Sequence, residues 1–533
     1  MWHEANIESI QALKKQIDEG KGDIIELKRT RNSLLNISTR VPPEILARIF
    51  VCSLVWEAVN SPPSRDFGKL RKDSYNFLLV CHHWFEVASR TPELWSFWGN
   101  TLKDWKKHHR HSGAAPVDLV LYGPECDHDD PLDGPLRDAV RSRVVQNTIR
   151  RVHLTSYNYR TLTSIISSLT PNDKGGQNDN IESIVWRNEG FTLVDVSDFF
   201  ARSRLSKLRL LDLTANLQIS SWDCLKIRTT LLTVLCLEIN VSPPSPTPTT
   251  SQLFSILTSN PNLRELRLFN TAIPNDTDGS AFGVPLRYLK ALSLTGDFRH
   301  LFRLLHRLIL PQVLDEMRLI VCSPTVEDIS QILTPYMRDY FRRDARFQDR
   351  LEVSSSSSYG LIAVSAAVVC PQATAPAPRV SLTVALSYPL PPDLLERFFT
   401  NLIAPIPLEP VVSFIAAIDI KLPEELLLAM LNTETLSICG VELSKGFLQP
   451  SPDGPHAKTK LLPSLRSLSL GNISLSDGSW GHLTTYLAQQ TSDKRIVSLR
   501  VFGYVPNIHP EVVNEIKDLV GEFIYPEIPG AGV

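Results

Sequence analysis

The densest run of side chains able to hold a metal or move a proton is Lys106-Lys107-His108-His109-Arg110-His111, with Asp127 and His128 further along. Four imidazoles and a carboxylate could supply zinc ligands, but these histidines do not form the i, i+4 pair with an acidic partner that a hydrolytic zinc helix needs. The basic run reads instead as a helix C-terminus, with Gly113 placed to cap it. Eight cysteines (Cys52, Cys81, Cys126, Cys224, Cys236, Cys322, Cys370 and Cys439) show no Cys-x-x-Cys or paired Cys/His spacing, and several sit inside apolar repeats as small hydrophobes. No Gly-rich phosphate loop, Gly-x-Ser-x-Gly elbow, His-Glu-x-x-His or kinase-like set occurs. The sequence therefore predicts no catalytic, cofactor-binding or metal-binding residue, and no enzyme.

In bulk terms, 533 residues with 43% hydrophobic content exceed one ordinary domain. A formal charge of -2 and a pI near 6.7 give no general attraction for nucleic acid or an anionic membrane. The start of the chain lacks the charge and apolar pattern of a signal peptide, and the longest apolar run, Leu361 to Cys370, is too short to span a bilayer. The unpatterned cysteines suit a reducing compartment, so a cytoplasmic or nuclear location is expected.

The elements that remain are helices first, then strands. Residues 4–35 carry Ile10, Leu13, Ile17, Ile24, Leu27 and Leu34 in a heptad interrupted by Gly20 and Gly22. Domain 1–36 is thus a helix in two pieces, which either folds back on the neighbouring helices of 37–100 or pairs as a short coiled coil. In 37–100, Pro43 suits the first position of a helix and Glu44 its positive end. Ile45, Leu46, Ile49, Phe50 and Leu54 form one broad stripe, with Ala47 and Arg48 opposite. A second helix, capped by Asp73 or Ser74, aligns Phe77, Val80, Cys81, Trp84 and Ala88, and Leu94-Trp95 closes the segment. A long insert at 55–75, with Pro62 and Pro63, separates the two helices. Helices this short need each other and a partner surface.

Taken in order, Val41-Pro42-Pro43-Glu44-Ile45-Leu46-Ala47-Arg48-Ile49-Phe50, Val80-Cys81-His82-His83-Trp84 and Leu94-Trp95 resemble the F-box. The resemblance covers roughly a tenth of the chain, and departs from the family in Val41, where Leu is usual, and in the long insert. It implies binding to the SCF adaptor, and through it to cullin and RING subunits, with Pro42, Pro43, Ile45, Leu46, Ile49, Phe50, Val80, Trp84, Leu94 and Trp95 as the adaptor-binding residues.

After a linker helix at 101–115 the rhythm changes. Leu208-x-x-Leu211-x-Leu213-x-x-Asn216 and Leu232-x-x-Leu235-x-Leu237-x-x-Asn240 are full copies of the leucine-rich-repeat signature. Looser copies centre on Val152, Ile184, Leu266, Leu292, Met317, Leu468 and Leu499. From Val152 to Met317 the central positions are 32, 27, 24, 31, 26 and 25 residues apart, in or just above the range of that repeat. Such spacing predicts a strand with inward leucines, a turn with a ladder Asn, and a return helix. Return helices are expected at 196–202, 250–257, 298–308, 325–341, 393–403, 424–431 and 480–489. Residues 350–388 break the pattern and predict three close antiparallel strands. The fold class is thus α/β: N-terminal helices and an all-α F-box, then an elongated leucine-rich-repeat solenoid of irregular repeats over 116–533. The pairing resembles leucine-rich-repeat F-box proteins of the expanded fungal type.

Residues alternating with the core leucines face the concave side, and Asp212, Glu265, Arg267, Glu316, Arg318 and Arg500 are the candidate contacts for an unidentified protein target. Their mixed signs disfavour nucleic acid. Two functions remain open: substrate receptor of an SCF ubiquitin ligase, or a repeat scaffold bound to the adaptor without ubiquitin transfer.

Overall fold

The computed structural model describes residues 8–15, 27–28, 30–31, 41–60, 80–98, 110–122, 140–143, 148–156, 159–170, 179–188, 194–215, 217–226, 231–239, 247–270, 272–276, 283–312 and 314–322. It further describes 324–343, 350–358, 361–369, 379–386, 397, 400–401, 403, 406, 408–409, 411–417, 424–439, 462–471, 477–489, 496–502 and 510–524. His108, His109, Asp127 and His128, the prolines of the 55–75 insert, Asp73, Ser74 and Phe77, and Ile17, Gly20, Gly22, Ile24 and Leu34 lie outside these residues, as does most of the linker helix. Residues 8–15 are helical. The chain forms two compact units, Met1–Leu231 with Val241–Ser245, and Leu232–Asn240 with Pro246–Val533. No helix among the described residues is long and apolar enough to cross a membrane.

The first unit contains helix α1 (Pro43–Asn60) and helix α2 (His82–Ser89), with a 3-10 turn next at Pro92–Trp95. The Pro42 carbonyl accepts from both Ile45 N and Leu46 N at 3.0 Å, so the proline pair sets the first turn. Helix α1 continues to Asn60, into residues expected to be loop. Cys81 is fully extended, which breaks helical geometry between Val80 and α2.

Strand β1 (Phe97–Trp98) then leads into a parallel sheet with β2 (Val117–Tyr122), β3 (Ile149–Ser156), β4 (Ser183–Asn188) and β6 (Leu210–Ala215). The short pair β5 (Val194–Asp195) and β7 (Leu217–Gln218) lies apart from it. Register stacks like on like: Leu119, Val152, Ile184 and Leu211 align, and Leu154, Trp186 and Leu213 align beside them, all essentially buried. Helices α3 (Tyr159–Leu169) and α4 (Ser197–Arg202) return the chain, and α4 packs Phe199 and Phe200 against Trp186 at 4.8 and 5.5 Å.

One polar pair is built into this apolar stack. Buried Asp118 on β2 takes a bidentate pair from Arg150 on β3, Nε at 2.9 Å and Nη2 at 2.7 Å. That hydrogen bond raises the Arg150 pKa against the opposing cost of burial. Arg143, also buried, lies 5.0 Å above the Trp98 ring, and burial lowers its pKa.

In the second unit β8 (Val234–Ile239), β9 (Glu265–Asn270), β11 (Ala291–Asp297) and β13 (Glu316–Cys322) continue the same scheme. Leu235, Leu266, Leu292 and Met317 align, as do Leu237, Leu268, Leu294 and Leu319. The short strands β10 (Val284–Pro285) and β12 (Leu308–Ile309) pair with each other. Helix α5 (Thr250–Ser259) starts at a capping box between Thr249 and Gln252, and helix α6 (Phe298–Arg307) starts on Asp297, which accepts from Arg299 N and His300 N. After a second capping box at Thr325, the turn α7 (Val326–Asp328) widens into a π segment, Ile329–Leu333, before α8 (Thr334–Arg343). Pro335 explains the widening, because it has no N–H to give the preceding turn.

The 350–388 segment enters the ladder as three strands, β14 (Arg350–Ser358), β15 (Leu361–Val369) and β16 (Arg379–Leu386). Only β15 runs antiparallel to its neighbours. β16 pairs in parallel with β13, and β14 in parallel with β17 (Ser413–Ala417), so the direction of the ladder is kept. Two residues join β14 to β15, too few for a crossover helix, and a reversal is the remaining way to pair. From β17 the parallel ladder resumes through β18 (Thr435–Cys439), β19 (Ser467–Gly471), β20 (Ser498–Phe502) and β21 (Glu522–Ile524). Helices α9 (Glu424–Ala429), α10 (Asp477–Gln489) and α11 (Pro510–Leu519) fall between these strands.

The turn that follows the strand is seen at Asn270, which is exposed and sits at φ +41, a left-handed conformation that Asn tolerates. Asn216, Asn240 and Asn472 lie outside the described residues.

His153 on β3 gives a pH test of this packing. Burial, and then the charge of Arg151, hold its pKa down to about 4, and its Nε2 lies 3.2 Å from Ser183 Oγ. The unfolded imidazole titrates near 6.5, so its contribution to stability is fully present above that value and is lost as pH falls toward 4. His153→Gln should flatten the acid limb of the unfolding free energy by on the order of 2 kcal/mol between those limits. Identical limbs for the variant and the parent in urea titrations would contradict the assignment.

Candidate functional site

The helical hairpin divides its apolar residues between two sides. Leu46 and Phe50 of α1, Val87 and Ala88 of α2, and Leu94 and Trp95 form a closed core, with Val41, Ala47, Val51 and Trp84 packed against it. The Phe50 and Trp84 rings lie 4.9 Å apart. Trp95 Nε1 donates to the Ala88 carbonyl at 2.8 Å, and Thr91 Oγ1 to that of Val87 at 2.7 Å, tying the 3-10 turn to α2. His111 stacks on Trp95 at 4.6 Å and its Nδ1 lies 3.2 Å from the Ser89 carbonyl. Among the described residues no group of three potential metal ligands occurs.

The other side is open. Ile45 and Ile49, one turn apart and therefore on one side of α1, are 50% and 51% exposed, and Val80 is 50% exposed. Pro42 and Pro43 are exposed at the start of the same helix. The ten residues assigned to adaptor contact thus separate. Pro42, Pro43, Ile45, Ile49 and Val80 are available, Trp84 is half-buried, and Leu46, Phe50, Leu94 and Trp95 are core residues that hold the others in place. The broad stripe read from the sequence splits because each of two packed helices can bury only one side against the other, and Ala47, expected opposite, joins the inner edge. Phe85, 47% exposed on α2, falls outside the sequence reading; its signal is an aromatic next to the Trp84 stripe with no place in the core.

The strand face holds the second candidate set. In the second unit Arg267, Ser293 and Arg318 share one cross-strand row, and Glu265, Ala291 and Glu316 another. Burial alone would lower the Arg267 pKa, but the charge of Glu265, its ion-pair partner on the same strand, helps raise it overall. Glu316, Arg318 and Arg500 are exposed. Asp212, in the first unit, is already engaged by Arg187 Nη2 at 3.0 Å and Thr214 Oγ1 at 2.6 Å, so it braces neighbouring strands and is a poor contact for a target. Phe502, another residue outside the sequence reading, lies across Gly471 in register on β19, where an added Cβ would collide with the ring.

No family model matches the chain, and no curated protein does. Solved structures with similarity include a chain of the crystal structure of a TLR13–ssRNA13 complex, 12% identical, with a TM-score of 0.32. The match covers 80% of this chain and 54% of that one, so the chain spans about half the length of that neighbour.

The two sides of α1 predict different mutational costs. Leu46→Ala should lower unfolding stability by about 2–5 kcal/mol, as for a buried leucine. Ile49→Ala should cost no more than about 1 kcal/mol. Equal costs by urea unfolding would contradict the division.

Proposed function

We propose that the chain is the substrate-recognition subunit of an SCF-type cullin–RING ubiquitin ligase. In this reading the hairpin is an F-box that binds the adaptor, and the strand units are leucine-rich-repeat solenoid segments that present a protein target. The observation that carries it is the pairing of a closed hairpin core with half-exposed Ile45, Ile49 and Val80 on the outside. An isolated hairpin gains nothing by holding large aliphatics in water, whereas an apolar partner groove would bury them. The resemblance of Pro42 to Phe50, Val80 to Trp84 and Leu94-Trp95 to the F-box makes the adaptor the partner proposed for that groove. From Val152 to Met317 parallel strands recur every 24–32 residues, and leucine registers over leucine from Leu235 through Leu266 to Leu292, which supports the repeat reading. The strand face alternates acids with arginines, which fits a protein surface of complementary charge better than a polyanion.

Pull-down of the full chain should recover adaptor, cullin and RING subunits together. Ile45→Asp with Ile49→Asp should abolish that recovery while thermal unfolding stays within a few degrees of the parent. Recovery of adaptor without cullin would replace the ligase reading by a scaffold one, and unchanged recovery by the double variant would sink the adaptor assignment. Arg318→Glu with Arg500→Glu should weaken target recovery and leave adaptor recovery intact, since exposed charges contribute little to folding.

A further inference from the structure

Helix α6 has a side that neither the adaptor surface nor the target surface uses. Its sequence, Phe298-Arg299-His300-Leu301-Phe302-Arg303-Leu304-Leu305-His306-Arg307, buries Phe298, Leu301, Phe302, Leu304 and Leu305. Every remaining position is Arg or His, and the helix carries no acid. Arg299, Arg303 and His306 are exposed and Arg307 is half-buried. Arg303 and Arg307, one turn apart, line a cavity of about 300 Å³ together with His300, Asp276 and Thr250.

The charges in that cavity do not cancel. Both oxygens of Asp276 are committed to the start of helix α5, one to Thr250 N at 2.9 Å and the other to the Thr250 hydroxyl. His300 is held by Asp297 at 3.4 Å. The lining therefore has two guanidinium groups against one carboxylate, a net charge of +1 with His neutral. A monoanion fits that balance better than a dianion, which would add repulsion from Asp276. Guanidinium groups also match carboxylates in a two-pronged geometry. Beyond the cavity, Arg299 to Arg307 spans about 12 Å along the helix. An extended peptide covers that distance with about four residues. Duplex nucleic acid would need a longer uninterrupted basic surface, and here Asp276 and Asp297 interrupt it.

We propose that α6 is a docking site for an acidic segment of a protein partner, with one Asp or Glu side chain seated in the Arg303–Arg307 cavity. The site lies on a return helix, off the strand face assigned to the target, and its test uses neither adaptor nor target, so either reading can fail alone. The probe is a fluorescein-labelled Gly-Ser peptide with four consecutive glutamates, compared by anisotropy with its all-glutamine counterpart and with a phosphoserine counterpart. Full-length protein should bind the glutamate probe and not the glutamine probe. Arg303→Gln with Arg307→Gln should weaken binding at least about tenfold. Arg299→Gln, outside the cavity, should change it less than about threefold. Arg303→Lys with Arg307→Lys keeps the charge and should bind with intermediate strength, which keeps the test valid if the glutamine variant unfolds. Failure to bind the glutamate probe, or an equal loss for Arg299→Gln, would overturn the proposal. Phosphoserine binding more than about tenfold tighter through the same two arginines would overturn the carboxylate assignment.

Discussion

The repeating strands depend on their neighbours to keep the central apolar residue dry. Leu211, Leu235, Leu266, Leu292, Met317, Leu468 and Leu499 are each at most 1% exposed, and each lies at a position registered with an equivalent residue on an adjacent strand. A single repeat cannot achieve this, because a lone strand and helix leave one face of the apolar row open. The variable residues inherit their order from the same register. Arg267, Ser293 and Arg318 form a row only because Leu266, Leu292 and Met317 do.

The constraint also explains how irregular segments are tolerated. β14, β15 and β16 interrupt the rhythm of strand and helix, yet the two outer strands remain parallel to β17 and β13, so the backbone ladder stays closed. Polar groups are admitted on similar terms. Asp118 is buried where Arg150 can meet both of its oxygens, and a carboxylate there without that partner would cost several kcal/mol. At the N-terminal end the hairpin obeys the same rule on one side only: Leu46 and Phe50 are enclosed while Ile45 and Ile49 are not.

Much of this is legible in the sequence, for local reasons. The leucine spacing locates the strands, and helices expected at 250–257 and 298–308 occur as Thr250–Ser259 and Phe298–Arg307, because Thr249 and Asp297 mark their starts. What is not legible depends on partners distant in sequence. A stripe of five apolar residues cannot say which of them turn inward until the second helix is packed, so Leu46 and Ile49 read alike. Asp212 reads as a free acid because Arg187, 25 residues away, is brought beside it only by strand pairing. Phe502 escapes notice because its support, Gly471, has no side chain to mark it.

If the hairpin is an F-box as proposed, its open side, with Ile45, Ile49 and Val80, receives the adaptor. Hydrogen–deuterium exchange of the full chain, measured alone and with purified adaptor, tests it directly. Slowed exchange is expected only in peptides covering 41–52 and 80–90, with the strands and α6 unchanged. Protection that appeared on the strand ladder while those two peptides exchanged as in the free chain would contradict it.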